Sequence, residues 1–285
     1  MVTASNGTAT SAVIPQVIFI GDFNTGKTAL INALLRKDIL HDSRLESKAL
    51  PTLVTASAAN APVYSALAAD RSQVVAKTQE EFLAINQDIP DGNPYSALAV
   101  QYPGLPFSKL TLIDTAGTST DTTQSMHLTD LKDTDKAILI MVTDIEYWSA
   151  KHTMDSIALH GEQFGDRLLV VANKADHLNA KEIQRITDKA AKRMEDYGIA
   201  PLPRFFALSA RLESARYQPH NEYRNRNKAA VRNLCDAAFD QLRVALYEFE
   251  ASHTQPEHSA HADHLFQTPL AASLINLKEL SHDAV

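Results

Sequence analysis

Short apolar runs punctuate this chain, and each stops abruptly at polar or glycine-containing residues. Residues 17–20 (Val-Ile-Phe-Ile), 110–113, 137–142, 168–172 and 205–208 have the length and branched or aromatic character of buried strands, and less regular stretches at 54–63 and 97–101 add two more. Helical patterns lie between them. Residues 29–35 follow the first run, and over 227–250 the apolar positions Val231, Leu234, Cys235, Ala238, Leu242, Ala245, Leu246 and Phe249 recur at helical spacing. Strands alternating with helices predict an α/β fold, with a mostly parallel central sheet, helices on both faces and further helices at the C-terminus. In such sheets ligands bind beyond the carboxyl ends of the strands, so the residues just after each apolar run carry the functional information.

After the first run comes Gly21-Asp22-Phe23-Asn24-Thr25-Gly26-Lys27-Thr28, leading into Ala29 and a helix. Glycines at both ends let a backbone wrap a phosphate chain, with its N–H groups aimed at the anion beside a helix N-terminus. Residues Asp22 to Ala29 are therefore expected to hold phosphates, with Lys27 reaching the terminal ones and the Thr28 hydroxyl on magnesium.

Three later run ends extend the pattern. Asp114-Thr115-Ala116-Gly117 places a carboxylate at a strand terminus, suited to holding magnesium through water, and Gly117 lets a backbone N–H approach the γ-phosphate. Asn173-Lys174-Ala175-Asp176 puts an acceptor, Asp176, where guanine's ring N–H and exocyclic amine would need one. Asn173 is expected to brace the loops and the Lys174 stem to lie along the base. Ser209-Ala210 follows the last strand, and the Ala210 N–H is a candidate donor to the guanine carbonyl oxygen.

The order of these motifs resembles the P-loop GTPase superfamily over roughly residues 16–250, and its dynamin-like branch, particularly bacterial dynamin-like proteins. Besides the phosphate loop and its helix, the resemblance rests on Leu50-Pro51-Thr52 before a strand and on Tyr102-Pro103-Gly104-Leu105-Pro106 upstream of Asp114. It implies hydrolysis of GTP to GDP and phosphate with Mg2+, a nucleotide-dependent homodimer, and a membrane or helical-bundle partner. It also implies a switch threonine closing over magnesium with Thr28 and Asp114. Thr52 and Thr55 both stand in that region, and Leu53 replaces the second threonine of the Pro-Thr-Thr run that relatives often carry. Lys27, Thr28 and Thr52 are the expected catalytic residues. The glutamine that positions water in small signalling GTPases is absent, with Thr118 in its place, and Phe23 stands where eukaryotic dynamins have a glutamine. The longer stretch between the phosphate loop and Asp114 resembles an insertion of the same branch. It contains a capping box, Thr78-Gln79-Glu80-Glu81, and a turn-rich piece at 89–94.

Composition adjusts this picture little. With 285 residues, 45% of them hydrophobic, the chain can bury the core of one large domain. A net charge of -7 argues against wholesale nucleic-acid binding. One cysteine, Cys235, excludes an internal disulfide and fits a reducing, cytoplasmic setting, with peripheral membrane association open, and no apolar run reaches transmembrane length. The expected organisation is a mobile tail at 1–13, a GTPase domain at 14–250, a polar histidine-rich linker at 251–264 and a C-terminal helix at 265–285. His253, His258, His261 and His264 read as linker rather than metal ligands. The arginines from Arg204 to Arg232 read as a solvated face, with acidic lipid, RNA or a partner as alternatives, and Trp148 as a packing residue. Two other functions stay open: a regulatory guanine-nucleotide switch with little turnover, and a ribosome-associated GTPase.

Overall fold

The computed structural model describes residues 14–40, 50–69, 73–87, 92–115, 136–218 and 222–253. Among these residues nine strands form one sheet: β1 (Gln16–Ile20), β2 (Thr52–Ser57), β3 (Val63–Ala68), β4 (Val74–Lys77), β5 (Tyr95–Pro103), β6 (Thr111–Asp114), β7 (Ala137–Asp144), β8 (Leu168–Asn173) and β9 (Arg204–Ala207), in the order β4-β3-β5-β2-β6-β1-β7-β8-β9. The half from β6 through β1, β7 and β8 to β9 is parallel throughout, and β2 also runs parallel to β5. Antiparallel pairing enters at β2–β6, β3–β5 and β3–β4. β1 and β8 are buried along their whole length, which is why they read as unbroken apolar runs: both faces are covered.

Among the described residues seven α-helices flank the sheet: α1 (Lys27–Leu35), α2 (Gln79–Gln87), α3 (Lys151–Phe164), α4 (Ala180–Asp196), α5 (Ala210–Arg216), α6 (Glu222–Arg226) and α7 (Ala229–His253). One core layer packs Leu30, Ile31 and Leu34 of α1 with Phe239, Leu242 and Leu246 of α7. The opposite layer holds Met154 and Ile157 of α3 with Ile183 and Met194 of α4. Trp148 belongs to that layer, buried with its ring centroid 4.9 Å from that of Phe205. The Arg243 guanidinium reaches across the first layer. It donates to Glu213 Oε1 at 2.6 Å and to the Ala33 carbonyl at 3.0 Å, fastening α7 to α5 and to the end of α1.

The sequence expectations need revision in three places. The strand expected at 54–63 is two strands, β2 and β3, because Ser57 to Pro62 turn the chain over. β4 was not anticipated: four residues alternating exposed and half-buried at a sheet edge leave a weak apolar signal. With β3, β4 and α2, the stretch before Asp114 builds onto the sheet instead of looping away from it, and Phe82 of α2 is fully buried against Tyr64. The capping box forms, with the Thr78 N–H donating to Glu81 at 2.8 Å and the Glu81 N–H to Thr78 Oγ1 at 3.2 Å. α7 continues through residues 251–253, into the segment read as linker. The tail at 1–13, the rest of the linker and the helix at 265–285 lie outside the described residues.

Candidate nucleotide site

The phosphate loop leaves β1 at Gly21, whose φ is +143°, and a Cβ there would lie 2.0 Å from the Val142 carbonyl oxygen. Gly26 adopts φ +88°, and its Cβ would meet Asn173 Nδ2 at 2.4 Å. Both positions therefore require glycine: any side chain would push the loop off the neighbouring strand ends. Lys27 is buried and folds back over the loop, Nζ donating to the Gly21 carbonyl at 2.8 Å and the Asp22 carbonyl at 3.0 Å. Thr25 closes the turn by donating to the Asp22 carbonyl at 2.9 Å. Phe23 is half-buried and Asn24 exposed, with positive φ. At the rim, His152 Nε2 stands 3.1 Å from Asp22 Oδ2, an exposed pair.

The Thr28 hydroxyl donates to Asp114 Oδ2 at 2.7 Å, so two residues expected to serve magnesium already touch at the carboxyl edge of β6. Thr52 is the direct cross-strand neighbour of Asp114, buried, its hydroxyl on the Leu50 carbonyl at 3.2 Å. Directly opposed residues leave the same face of a sheet. Thr55 instead pairs with Thr111, about 10 Å farther from that edge, and its buried hydroxyl has no partner among the described residues. Thr115, not singled out in the sequence, donates to the Phe19 carbonyl at 2.6 Å and ties the end of β6 to β1. Gly117 lies outside the described residues. The oxygen donors present, two hydroxyls and one carboxylate, fit a hard divalent cation that keeps several waters.

Across the site, Asn173 links three segments. Its Nδ2 donates to the Thr25 carbonyl at 2.9 Å, and its Oδ1 accepts from the Ala210 N–H at 3.0 Å. The Ala210 N–H, expected to face a guanine carbonyl, is thus committed to Asn173 here, because the end of β8 and the start of α5 converge on that amide. Ser209 caps α5, its Oγ accepting from the Leu212 N–H at 3.1 Å. Lys174 adopts φ 65°, and its Nζ sits 2.9 Å from Asp144 Oδ2 at the end of β7.

Asp176 lies in the turn after β8 with its side chain only 2% exposed. The Tyr223 hydroxyl of α6 donates to its Oδ2, and the Arg211 guanidinium stacks 3.6 Å from the Tyr223 ring centroid. Burial and then the Asp176 carboxylate push the Tyr223 phenol up to about 12. No sequence signal marked Tyr223, because its partner comes from a distant strand end. The basic segment is largely neutralised within the chain. Arg216 pairs with Asp240, Arg224 with Asp236 and Arg226 with Glu222, while Arg232 donates to the Arg224 and Asn227 carbonyls.

No helix among the described residues is long and apolar enough to cross a membrane. No curated protein matches the chain. Two solved structures, both described as an oligomerised bacterial dynamin pair that provides a mechanism for the long-range sensing and tethering of membranes, share its fold. They superpose with TM-scores of 0.62 and 0.60 at 16% identity. Each alignment covers 93% of this chain and 40% of the other, so the chain spans well under half the length of those proteins. The family model for the dynamin family matches residues 17–175, the stretch from the phosphate-loop strand to the base motif, and on that match the chain belongs to the dynamin family.

Proposed function

We propose that this protein binds GTP with magnesium and hydrolyses it to GDP and phosphate, in a cycle completed by self-association. The observation that carries this reading is the meeting of separate motifs at one sheet edge: Thr28 on Asp114, and Asn173 on both the phosphate loop and Ala210. Water attacks the γ-phosphorus, the bond to the β–γ bridging oxygen breaks with its electron pair leaving on GDP, and the water protons pass to phosphate and solvent. Lys27 exchanges its loop carbonyls for phosphate oxygens and offsets their charge. The loop N–H groups orient the chain, and Asp176 selects guanine. Thr28, Asp114 and Thr52 are the residues to hold magnesium, which supplies charge neutralisation on the transferred phosphoryl group.

Water positioning is the incomplete part. Neither Phe23 nor Thr118 carries an amide able to orient an attacking water, so an isolated chain turns over slowly, and a second copy docking across the nucleotide face supplies the missing orientation and charge. A cytoplasmic protein working at a membrane surface fits this reading, given what the related bacterial dynamins are described as doing. RNA is a poorer partner, because the arginines it would need already serve acidic side chains and carbonyls of this chain. GDP with aluminium fluoride should drive dimerisation where GDP alone does not, and phosphate release per molecule should rise with protein concentration. Light scattering that finds a monomer in every nucleotide state, with a concentration-independent rate, would favour a switch module instead.

A further inference from the structure

Asp176 is the one acceptor positioned to read guanine, yet its carboxylate is sealed inside the protein. At 2% exposure no purine edge reaches it unless a neighbour first withdraws. At Oδ2 the half-exposed His177 ring stands 3.8 Å away, while Tyr223 makes the hydrogen bond, its phenolic O–H presenting the same kind of donor that guanine presents with its ring N–H and amine.

Tyr223 is held in that position from several sides. Arg211 stacks on its ring. Its own helix, α6, is pinned by Arg224, whose Nη1 donates to Asp236 Oδ1 of α7 at 3.0 Å and to the Leu212 carbonyl of α5 at 3.1 Å, with Nη2 on Asp236 Oδ2. A side chain locked this way resists displacement, and whatever displaces it disturbs α6. Guanine can replace the lost hydroxyl bond with two N–H donors. Adenine, with no N–H at its ring nitrogen in that arrangement, cannot.

We propose that Tyr223 is a built-in competitor for guanine at Asp176, so that base capture expels its hydroxyl and releases α6. The inference rests on the guanine reading of Asp176 given above. Removing the hydroxyl while keeping the ring, as in Tyr223→Phe, removes a charge-assisted bond that the base must otherwise break, and GDP should bind about tenfold more tightly. ADP affinity should stay weak. In the unmodified chain, amide hydrogen exchange at residues 222–226 should accelerate on adding GDP and not on adding ADP. Unchanged or weaker GDP binding by a folded Tyr223→Phe variant, or exchange at 222–226 indifferent to GDP, overturns the competition while leaving the guanine preference intact. Equal affinity of the unmodified chain for GDP and ADP overturns the guanine reading and the competition together.

Discussion

The two halves of the candidate site are built differently. On the phosphate side, Lys27 and Thr25 bond to carbonyls only a few residues away, while Thr28 on Asp114, two groups expected to serve the same metal, and Asn173 on the Thr25 carbonyl tie the loop to β6 and β8. On the base side, Asp176 is covered by a tyrosine from α6, Lys174 is engaged by Asp144 of β7, and the Ala210 N–H has gone to Asn173. The first half is held largely by its own backbone carbonyls. The second is held by side chains from α6, β7 and β8. Local backbone geometry can preorganise an anion cradle, whereas the polar groups of the base half are engaged by side chains delivered by separate elements.

The sharpest way to break this contrast is to attack the phosphate half. Lys27→Ala and Thr28→Ala should each abolish GTP turnover, measured as phosphate release, while the melting temperature changes little. Substantial turnover by either variant would mean the loop is not the phosphate site. Close behind is the switch threonine. Thr52→Ala should lower turnover by orders of magnitude with little change in GDP affinity, and Thr55→Ala should not, because of these two threonines only Thr52 lies opposite Asp114. A reversed pattern would put the magnesium end of the site elsewhere.

Next in size is the scaffold beneath the phosphate half. Arg243 and Glu213 form a buried pair at 2.6 Å, and Arg243 also caps the Ala33 carbonyl at the end of α1. Arg243→Met should destabilise the fold by about 3 kcal/mol in denaturant unfolding, because it leaves the buried Glu213 carboxylate with only the longer contact to Arg216, 3.5 Å from Oε2. Adding Glu213→Gln should recover part of the loss. The smallest effect belongs to the base half. Asp176→Asn should weaken GTP binding by roughly 1.5–3 kcal/mol and move preference toward xanthine nucleotide, since an amide offers guanine's donors a mismatched edge. If the variant binds GTP as the unmodified chain does, Asp176 is not the base reader, and the contrast between the two halves loses its second term.

Much of the architecture was legible because central parallel strands are apolar on both faces, so residues 17–20, 137–142 and 168–172 stood out as runs and their ends marked the site. The edge of the sheet was not. β4 is short and half-exposed, and the turn between β2 and β3 is marked only by Asn60 and Pro62 among small residues. The arginines after β9 looked like one basic face from composition, but their acidic partners sit on α6 and α7, arranged by how those helices pack.

By itself the sequence marked the candidate phosphate loop, the carboxylate at the end of β6 and the candidate base motif at the end of β8, because each depends on residue types at fixed local spacing, with glycines where no Cβ fits. It left Thr52 and Thr55 as candidates for the switch threonine, and the register of β2 against β6 places only Thr52 opposite Asp114. Tertiary structure alone decided that Asn173 takes the Ala210 N–H, that Arg243 joins α7 to α1, and that Tyr223 covers Asp176. A buried polar group must find a partner, and which one it finds depends on what the packed helices bring within reach.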